Sequence, residues 1–485
     1  MNRTRLLTGL LALVVLLDLW YSGTQHYRQV IDGDLARIIL PDEGHSPVLH
    51  DPFGLGVLLH QQAYVGPNRF FAHASLYAYM RTMPGWLQAF VSPISSIYLA
   101  CALFKTALQA VLLGLLAAYA SQASGADQRW GRTFWLAAAL LTPLFQTAGY
   151  QGQMGIIDRS ITYAFFYAFP LTLLLALLWP FFRAWSDMQP FRMGWFRLTL
   201  LLGLVIYLSL HGPIIAGVVG VLLAGGALVW MLGQWQEAAP KPGPLALAQR
   251  LPLPVWVLGG LMLVLAVYSL YLGRYDVESM GPQQVPLAQR YLLLPRGLFA
   301  ELTSKLGLPL LVLAVLGNAW LLARRLPRTA ASAHLLRMLQ GLGWFAGAYL
   351  LLLPLGGYRP YRQLILRYDT IMPLTLGLLV GYAATTLYVV RWLPQPALKK
   401  YIIGLILFST VYLYADKPLK PEASNIRERA ALTILANASA SIVQLPAEGT
   451  VMSWEMITDY RLSETNARLL EHWHITSGVK LYYQK

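Results

Sequence analysis

The sequence predicts an all-α polytopic membrane protein. It has about eleven transmembrane helices, a long outer first loop carrying amphipathic helices, and a small α/β appendage at the C-terminus. Three observations predict this. The 485 residues are 56% hydrophobic but only 12% charged, well below the ~25% charged residues of a soluble domain. Apolar runs of about 20 residues recur, the length a helix needs to cross a hydrocarbon core of ~30 Å. Lys and Arg gather in alternate loops between those runs. A membrane barrel would instead show segments of about ten alternating residues.

The first element, residues 6–21, follows Met1-Asn2-Arg3-Thr4-Arg5 and imitates a signal peptide. It passes Asp18 and Trp20 without a small-residue cleavage site, so it reads as a retained anchor. Residues 22–93 form the first loop, too polar and too punctuated by Pro and Gly to span. Within it, 55–59 and 86–90 are apolar-rich and read as short interfacial helices. Further spans fall near 94–121, 133–150, 162–182, 197–211, 213–233, 254–273, 307–323, 338–355, 371–390 and 401–415. His211-Gly212-Pro213 turns the fifth and sixth into a tight hairpin. The bundle thus covers 1–415. Residues 416–485 are polar and form a small soluble region on the outer face, with a helix at 424–440 and a strand-like run at 450–454. Alone it would bury little core.

Sidedness follows from charge. With the N-terminus inside, every short inside loop is basic, carrying among others Arg129, Arg132, Arg183, Arg324, Arg325 and Lys400, as the positive-inside bias requires. This accounts for much of the net charge of +15 and removes the nucleic-acid partner that such a charge would suggest in a soluble protein. The N-terminus is then cytoplasmic and the C-terminus periplasmic. The single cysteine, Cys101, excludes an intramolecular disulfide and a cysteine metal cluster.

The outside loops hold the chemistry. Asp32 and Asp34, separated by Gly33, lie just past the first span. Carboxylates there can deprotonate an acceptor or hold a metal on a donor phosphate; the competing structural reading is a solvated turn or a helix cap. Asp158 and Arg159 share a short loop on the same side, where a second acid completes a metal site, orients a hydroxyl, forms an internal ion pair or caps the fourth span. The run Tyr358-Arg359-Pro360-Tyr361-Arg362 with Arg367-Tyr368-Asp369 puts three arginines outside, against the charge bias. Arg forks bind phosphate bidentately and Tyr suits a sugar ring or the interface. Lipid headgroups or Asp369 would engage the same arginines. Arg274, Arg290 and Arg296 on the preceding outer loop are weaker versions of this idea. His211, at the outer turn, is a candidate substrate contact. Asp18 and Lys105 are charges in or near spans, where burial is costly and often functional, with snorkelling or pairing as the plainer account. His26, His45, His50, His60 and His73 fit no zinc-ligand spacing. There is no P-loop, nucleophile elbow or dinucleotide fingerprint.

In this layout the chain resembles GT-C-type integral membrane glycosyltransferases. The resemblance covers the whole chain as architecture and Asp32, Asp34 and Asp158 as motif. It implies a glycosyltransferase moving a sugar, with inversion, from a polyprenyl-phosphate carrier to a glycan, lipid or protein acceptor at the periplasmic face. The first-loop acid, Asp32 or Asp34, would be the base or a ligand of a divalent cation (Mg or Mn), with Asp158 beside it. Arg359, Arg362 and Arg367, with Tyr358, Tyr361, Arg159, Arg296 and His211, would hold the phosphate and sugar. The Trp-Trp-Asp signature of oligosaccharyltransferases is missing, which counts against protein N-glycosylation. A basic inner face and the lack of disulfides fit a bacterial inner membrane. Two other classes stay open, a lipid-linked oligosaccharide flippase or transporter and an O-antigen ligase or polymerase. The first-loop acids divide them, since a ligase-type reaction does not need an early acid.

Overall fold

In the computed structural model, the described residues are 3–485 without 126–130, 188–190, 192, 238–242, 244–245, 247–248, 281–284, 357, 359–361 and 363. Arg359 and Tyr361 therefore lie outside the described residues, as does Arg129.

The described chain is mostly helical, and each of the eleven apolar segments contains a helix. Among the described residues, nine helices are long and apolar enough to cross a membrane, and the protein is an integral membrane protein. Two of the eleven expected spans are shorter. The third stops at Leu141 after ten residues and passes into a short 3-10 turn, Thr142–Leu144. Ten residues reach only ~15 Å. Pro143 has no N–H to continue the ladder, and the amides of Thr147 and Ala148 turn instead to the carboxylate of Asp416, at 3.0 and 2.6 Å. The fifth, Trp195–Ser209, has fifteen residues. It meets Pro213–Glu237 across the expected hairpin turn. There Gly212 takes φ +123°, a backbone shape that only glycine adopts freely, and Pro213 opens the next helix at its first position.

The first helix, α1 (Arg3–Tyr27), runs six residues beyond its apolar stretch. Four helices follow in the first loop: α2 (Leu35–Ile39), α3 (Pro47–His50), α4 (Leu55–His60) and α5 (Phe70–Leu87). The expected interfacial helix at 55–59 is α4. The expected one at 86–90 is only the last turn of α5. That helix buries Ala72, His73, Leu76, Met80 and Pro84, a 3–4 spacing that makes one continuous face. Its polar residues between those positions hid it from a hydropathy reading. Next come α6 (Pro93–Ala123) and α7 (Arg132–Leu141). A further helix, Leu287–Thr303, is amphipathic and exposes Leu292 and Phe299.

The tail differs from its sequence expectation in one respect. Its helix is Ile426–Asn437 as expected, but 450–454 is not a strand. The sheet is β1 (Ile442–Leu445) paired in parallel with β2 (Leu481–Gln484), with Ile442 opposite Leu481. At 450–454 the backbone serves another purpose. Met452 takes φ +50°, and its N–H donates to Glu428 instead of a ladder partner. The tail packs on the first loop: one core joins Leu35, Ile39, Leu76 and Met80 to Leu432, Leu470, Trp473 and Tyr482. Trp473 is buried there and donates its indole N–H to the Met80 carbonyl at 3.0 Å. The first loop and the tail thus form a cap at one end of the bundle.

Candidate functional site

The cap brings together three loops that are far apart in sequence. Asp32 sits at the meeting point, 4% exposed. Its carboxylate accepts from Ser160 Oγ at 2.8 Å, Thr162 Oγ1 at 2.8 Å, the Thr162 amide at 3.2 Å and the Asp34 amide at 3.2 Å. With four donors on two oxygens, Asp32 is fully engaged. It fastens the first loop to the start of the Ile161–Ser186 span. Ser160 is the cap of that helix and also receives the Tyr163 amide.

Asp158 is the second clamp. It is buried, accepts the Ser160 amide at 2.8 Å and accepts the Tyr368 hydroxyl at 2.7 Å. Ser160 therefore bridges both acids, and Tyr368 ties the 364–370 segment to them. Burial pushes the Asp158 carboxyl up to about 6, against those two hydrogen bonds. Below, Lys105 is a fully buried cation in α6. Its ammonium donates to Gln29 Oε1 at 2.6 Å and to the Arg159 carbonyl at 2.9 Å, and the carboxylates of Asp32 and Asp158 lie near it. A lone Lys in an apolar helix signals function or a polar network; here it joins a network with Gln29 and the backbone of the Asp158 loop.

Asp34 is placed differently. It precedes α2, is half-buried, and accepts one side-chain hydrogen bond, from the indole N–H of Trp454 at 3.1 Å. Burial raises its carboxyl above the usual range; the Trp454 bond opposes this, and the charges of Asp32 and Glu278 add to it. The approach of Trp454 depends on Gly33. A Cβ at that position would stand 2.6 Å from the Trp454 backbone nitrogen. Gly33→Val is accordingly expected to push the tail segment off Asp34. The check is quenching of Trp454 fluorescence by acrylamide in a protein whose other exposed tryptophans are Phe, where the Val variant should be the more quenched.

Around Asp34 stand aromatic rings. Trp454 is 54% exposed and lies 5.9 Å from the Tyr163 ring, which is 5.7 Å from Tyr167. Both tyrosines flank or lie in a π-helical turn, Ala164–Ala168, a local irregularity often found at functional sites. The charges of Arg362 and Arg367 reach Tyr163, so both arginines lie near the same aromatic group.

The arginines are not equivalent. Arg367 is paired with buried Asp369: its Nε bonds Oδ1 at 3.1 Å and its Nη2 bonds Oδ2. Arg362 accepts the Tyr358 hydroxyl at its carbonyl. Arg159 is exposed beside Asp158, and Arg37 is exposed on α2 near Asp34. Arg296 is exposed on the Leu287–Thr303 helix, whose Gly297 packs against Leu366. His211 belongs elsewhere. It is 2% exposed among Phe71, Phe169 and Tyr207 and bonds the Tyr207 carbonyl at 3.1 Å. Burial pushes it down to about 4, so near neutrality it carries no charge for a phosphate.

The acids do not form a carboxylate cage. Asp32 and Asp158 give their oxygens to protein donors, and among the described residues no group of three His, Cys, Asp or Glu side chains converges as a metal-holding set. The arrangement suits a single carboxylate, Asp34, acting on a proton.

Sequence reasoning missed Trp454, Tyr163, Tyr167 and Glu301. Glu301 lies on the amphipathic Leu287–Thr303 helix near Asp369, and burial raises it to about 7. An isolated acid in an amphipathic outer-loop helix was its only signal. Set against protein-family models, curated proteins and solved structures, the chain gives no match.

Proposed function

We propose that this chain is a membrane glycosyltransferase of the GT-C type. It moves a sugar from a polyprenyl-phosphate carrier to an acceptor hydroxyl at the capped end of the bundle. The observation that carries this reading is one half-open carboxylate, Asp34, which takes the Trp454 indole of the tail and sits next to Asp32, the acid that holds Ser160 and Thr162, with Tyr368 tied to the same loop through Asp158. The basic loops at the other end support an orientation with the capped end outside, periplasmic in a bacterial inner membrane. About eleven spans remain the expected count, with the two short helices counted among them.

In this mechanism Asp34 takes the proton of the acceptor hydroxyl. The acceptor oxygen bonds the anomeric carbon from the face opposite the phosphate, the bond from that carbon to the phosphate oxygen breaks, and polyprenyl phosphate leaves with the electron pair. The anomeric configuration inverts. Asp32 holds the Asp34 amide and so positions the base. Exposed Arg37 and Arg159 are the candidates to meet a phosphate, while Arg362 and Arg367 would join by loosening contacts that they already make. Trp454 and Tyr163 present rings to a sugar. Burial, which raises Asp34 above the usual carboxylate range, makes it the stronger proton acceptor once ionised.

The test is a cryo-EM map of the protein in nanodiscs with polyprenyl phosphate. Phosphate density beside Arg37, Arg159 or Arg362, facing Asp34, is expected. A polar path running through the bilayer, with Asp34 turned to bulk water, would point to a transporter instead. The pH profile gives a second check. A base works ionised, and Asp34 is raised, so transfer should fall on acidification at a higher pH than an ordinary aspartate near ~3.9 would give. Trp454→Phe removes the bond that favours the ionised form. The acid limb of kcat/KM should then move further up.

A further inference from the structure

A second feature of the cap is a groove of about 950 Å³ between the first loop, α5 and the tail. We propose that this groove is a binding site for a neutral oligosaccharide, the acceptor chain of the transfer. The acceptor role rests on the function proposed above; the glycan-binding role does not.

The chemistry of the groove selects the ligand. Its wall carries rings, Phe70 and Tyr77, suited to the apolar faces of pyranoses. Its rim carries both signs of charge: Asp42, Glu43 and Glu464 against Arg81, Arg468 and His50. Two arginines face three acids, and part of this charge is already bonded. Arg468 pairs with Glu464 at 2.8 Å, and Asp42 pairs with His45 at 2.6 Å. Arg81 bonds the Tyr77 hydroxyl and lies over its ring, 5.1 Å from the centroid. No excess of positive charge is left for a polyphosphate or an acidic polymer. What remains is a field of donors and acceptors around aromatic faces, the complement of a polyhydroxyl chain.

Position links the groove to Asp34. The exposed or half-exposed positions along α2 are Asp34, Arg37 and Leu40, three apart, so they follow one face of the helix. Asp34 stands at the start of that face, and Leu40 lines the groove at its end. At 1.5 Å per residue the separation along the helix is about 9 Å, within the reach of a short oligosaccharide. A chain whose terminal hydroxyl meets Asp34 would lie over Arg37 and enter the groove.

The experiment is saturation-transfer NMR on the full-length protein in nanodiscs. The probes are short neutral oligosaccharides of glucose, galactose, mannose and N-acetylglucosamine, with oligogalacturonate and inorganic pyrophosphate for comparison. At least one neutral probe should bind. Tyr77→Ala and Ala74→Trp, which remove a ring and fill the groove, should each weaken it about ten-fold or more. The proposal fails if no neutral probe binds, if both groove variants bind as the parent does, or if only the acidic probes bind. Neutral-probe binding in a protein that shows no Asp34-dependent transfer would keep the glycan site and overturn its acceptor role. Transfer that survives Ala74→Trp at full rate would do the same without touching the assignment of Asp34.

Discussion

Asp34→Asn is expected to lower sugar transfer by about 10²–10⁴-fold, the usual worth of a positioned general base, with little change in melting temperature. The asparagine keeps an Oδ1 to accept the Trp454 indole, so the local geometry survives while the proton acceptor is lost. Asp32→Asn should behave differently. Its amide group would face donors from Ser160, Thr162 and Asp34, and an NH₂ opposite an N–H or a committed O–H leaves buried donors unsatisfied. Each such orphan costs ~1–3 kcal/mol, so this variant should lose stability as well as activity. The measurement is transfer of labelled sugar beside thermal unfolding for both variants. Parent-like transfer by Asp34→Asn would remove the base from the mechanism. Equal melting of the two variants would show that Asp32 is not the clamp its donors indicate.

That division of labour was not legible in the sequence, where Asp32 and Asp34 are two identical residues in one turn. What separates them is the number of donors that each receives, and those donors come from residues 160–162 and 454. Local pattern could place the acids beyond the first span, and could place Asp158 and the arginine loop on the same side. It could not show that Tyr368 would bond Asp158 or that Arg367 would be spent on Asp369. The helices were legible because each is a long apolar run. The failures have local causes. Pro143 shortens one apolar run, α5 alternates polar and apolar residues at helical spacing, and the apparent strand at 450–454 is diverted by a buried carboxylate. Trp454 escaped notice because a tryptophan in a polar tail gives no sign of the loop that it will cover.

The diverting carboxylate is Glu428, and its replacement carries the second large expectation. Glu428 is 2% exposed. Its Oε2 accepts the Ile31 amide at 3.0 Å and the Tyr98 hydroxyl at 2.8 Å, while Oε1 accepts the Met452 amide at 2.9 Å. One side chain of the tail thus joins the first loop, α6 and the segment that carries Trp454. Glu428→Leu leaves all three donors buried without acceptors, a loss of several kcal/mol at ~1–3 kcal/mol each. Glu428→Gln keeps one carbonyl oxygen and should lose less. Because Ile31 adjoins Asp32 and Met452 lies two residues before Trp454, the loosening reaches the site: the indole should leave Asp34 and transfer should fall. Limited proteolysis gives the readout, with the 416–485 region cleaved fastest in the Leu variant, more slowly in the Gln variant and slowest in the parent. A Leu variant as resistant as the parent would mean that the apolar core around Trp473 and Tyr482 holds the tail alone. Glu428 would then be a satisfied polar group and not the fastening through which the tail reaches Asp34.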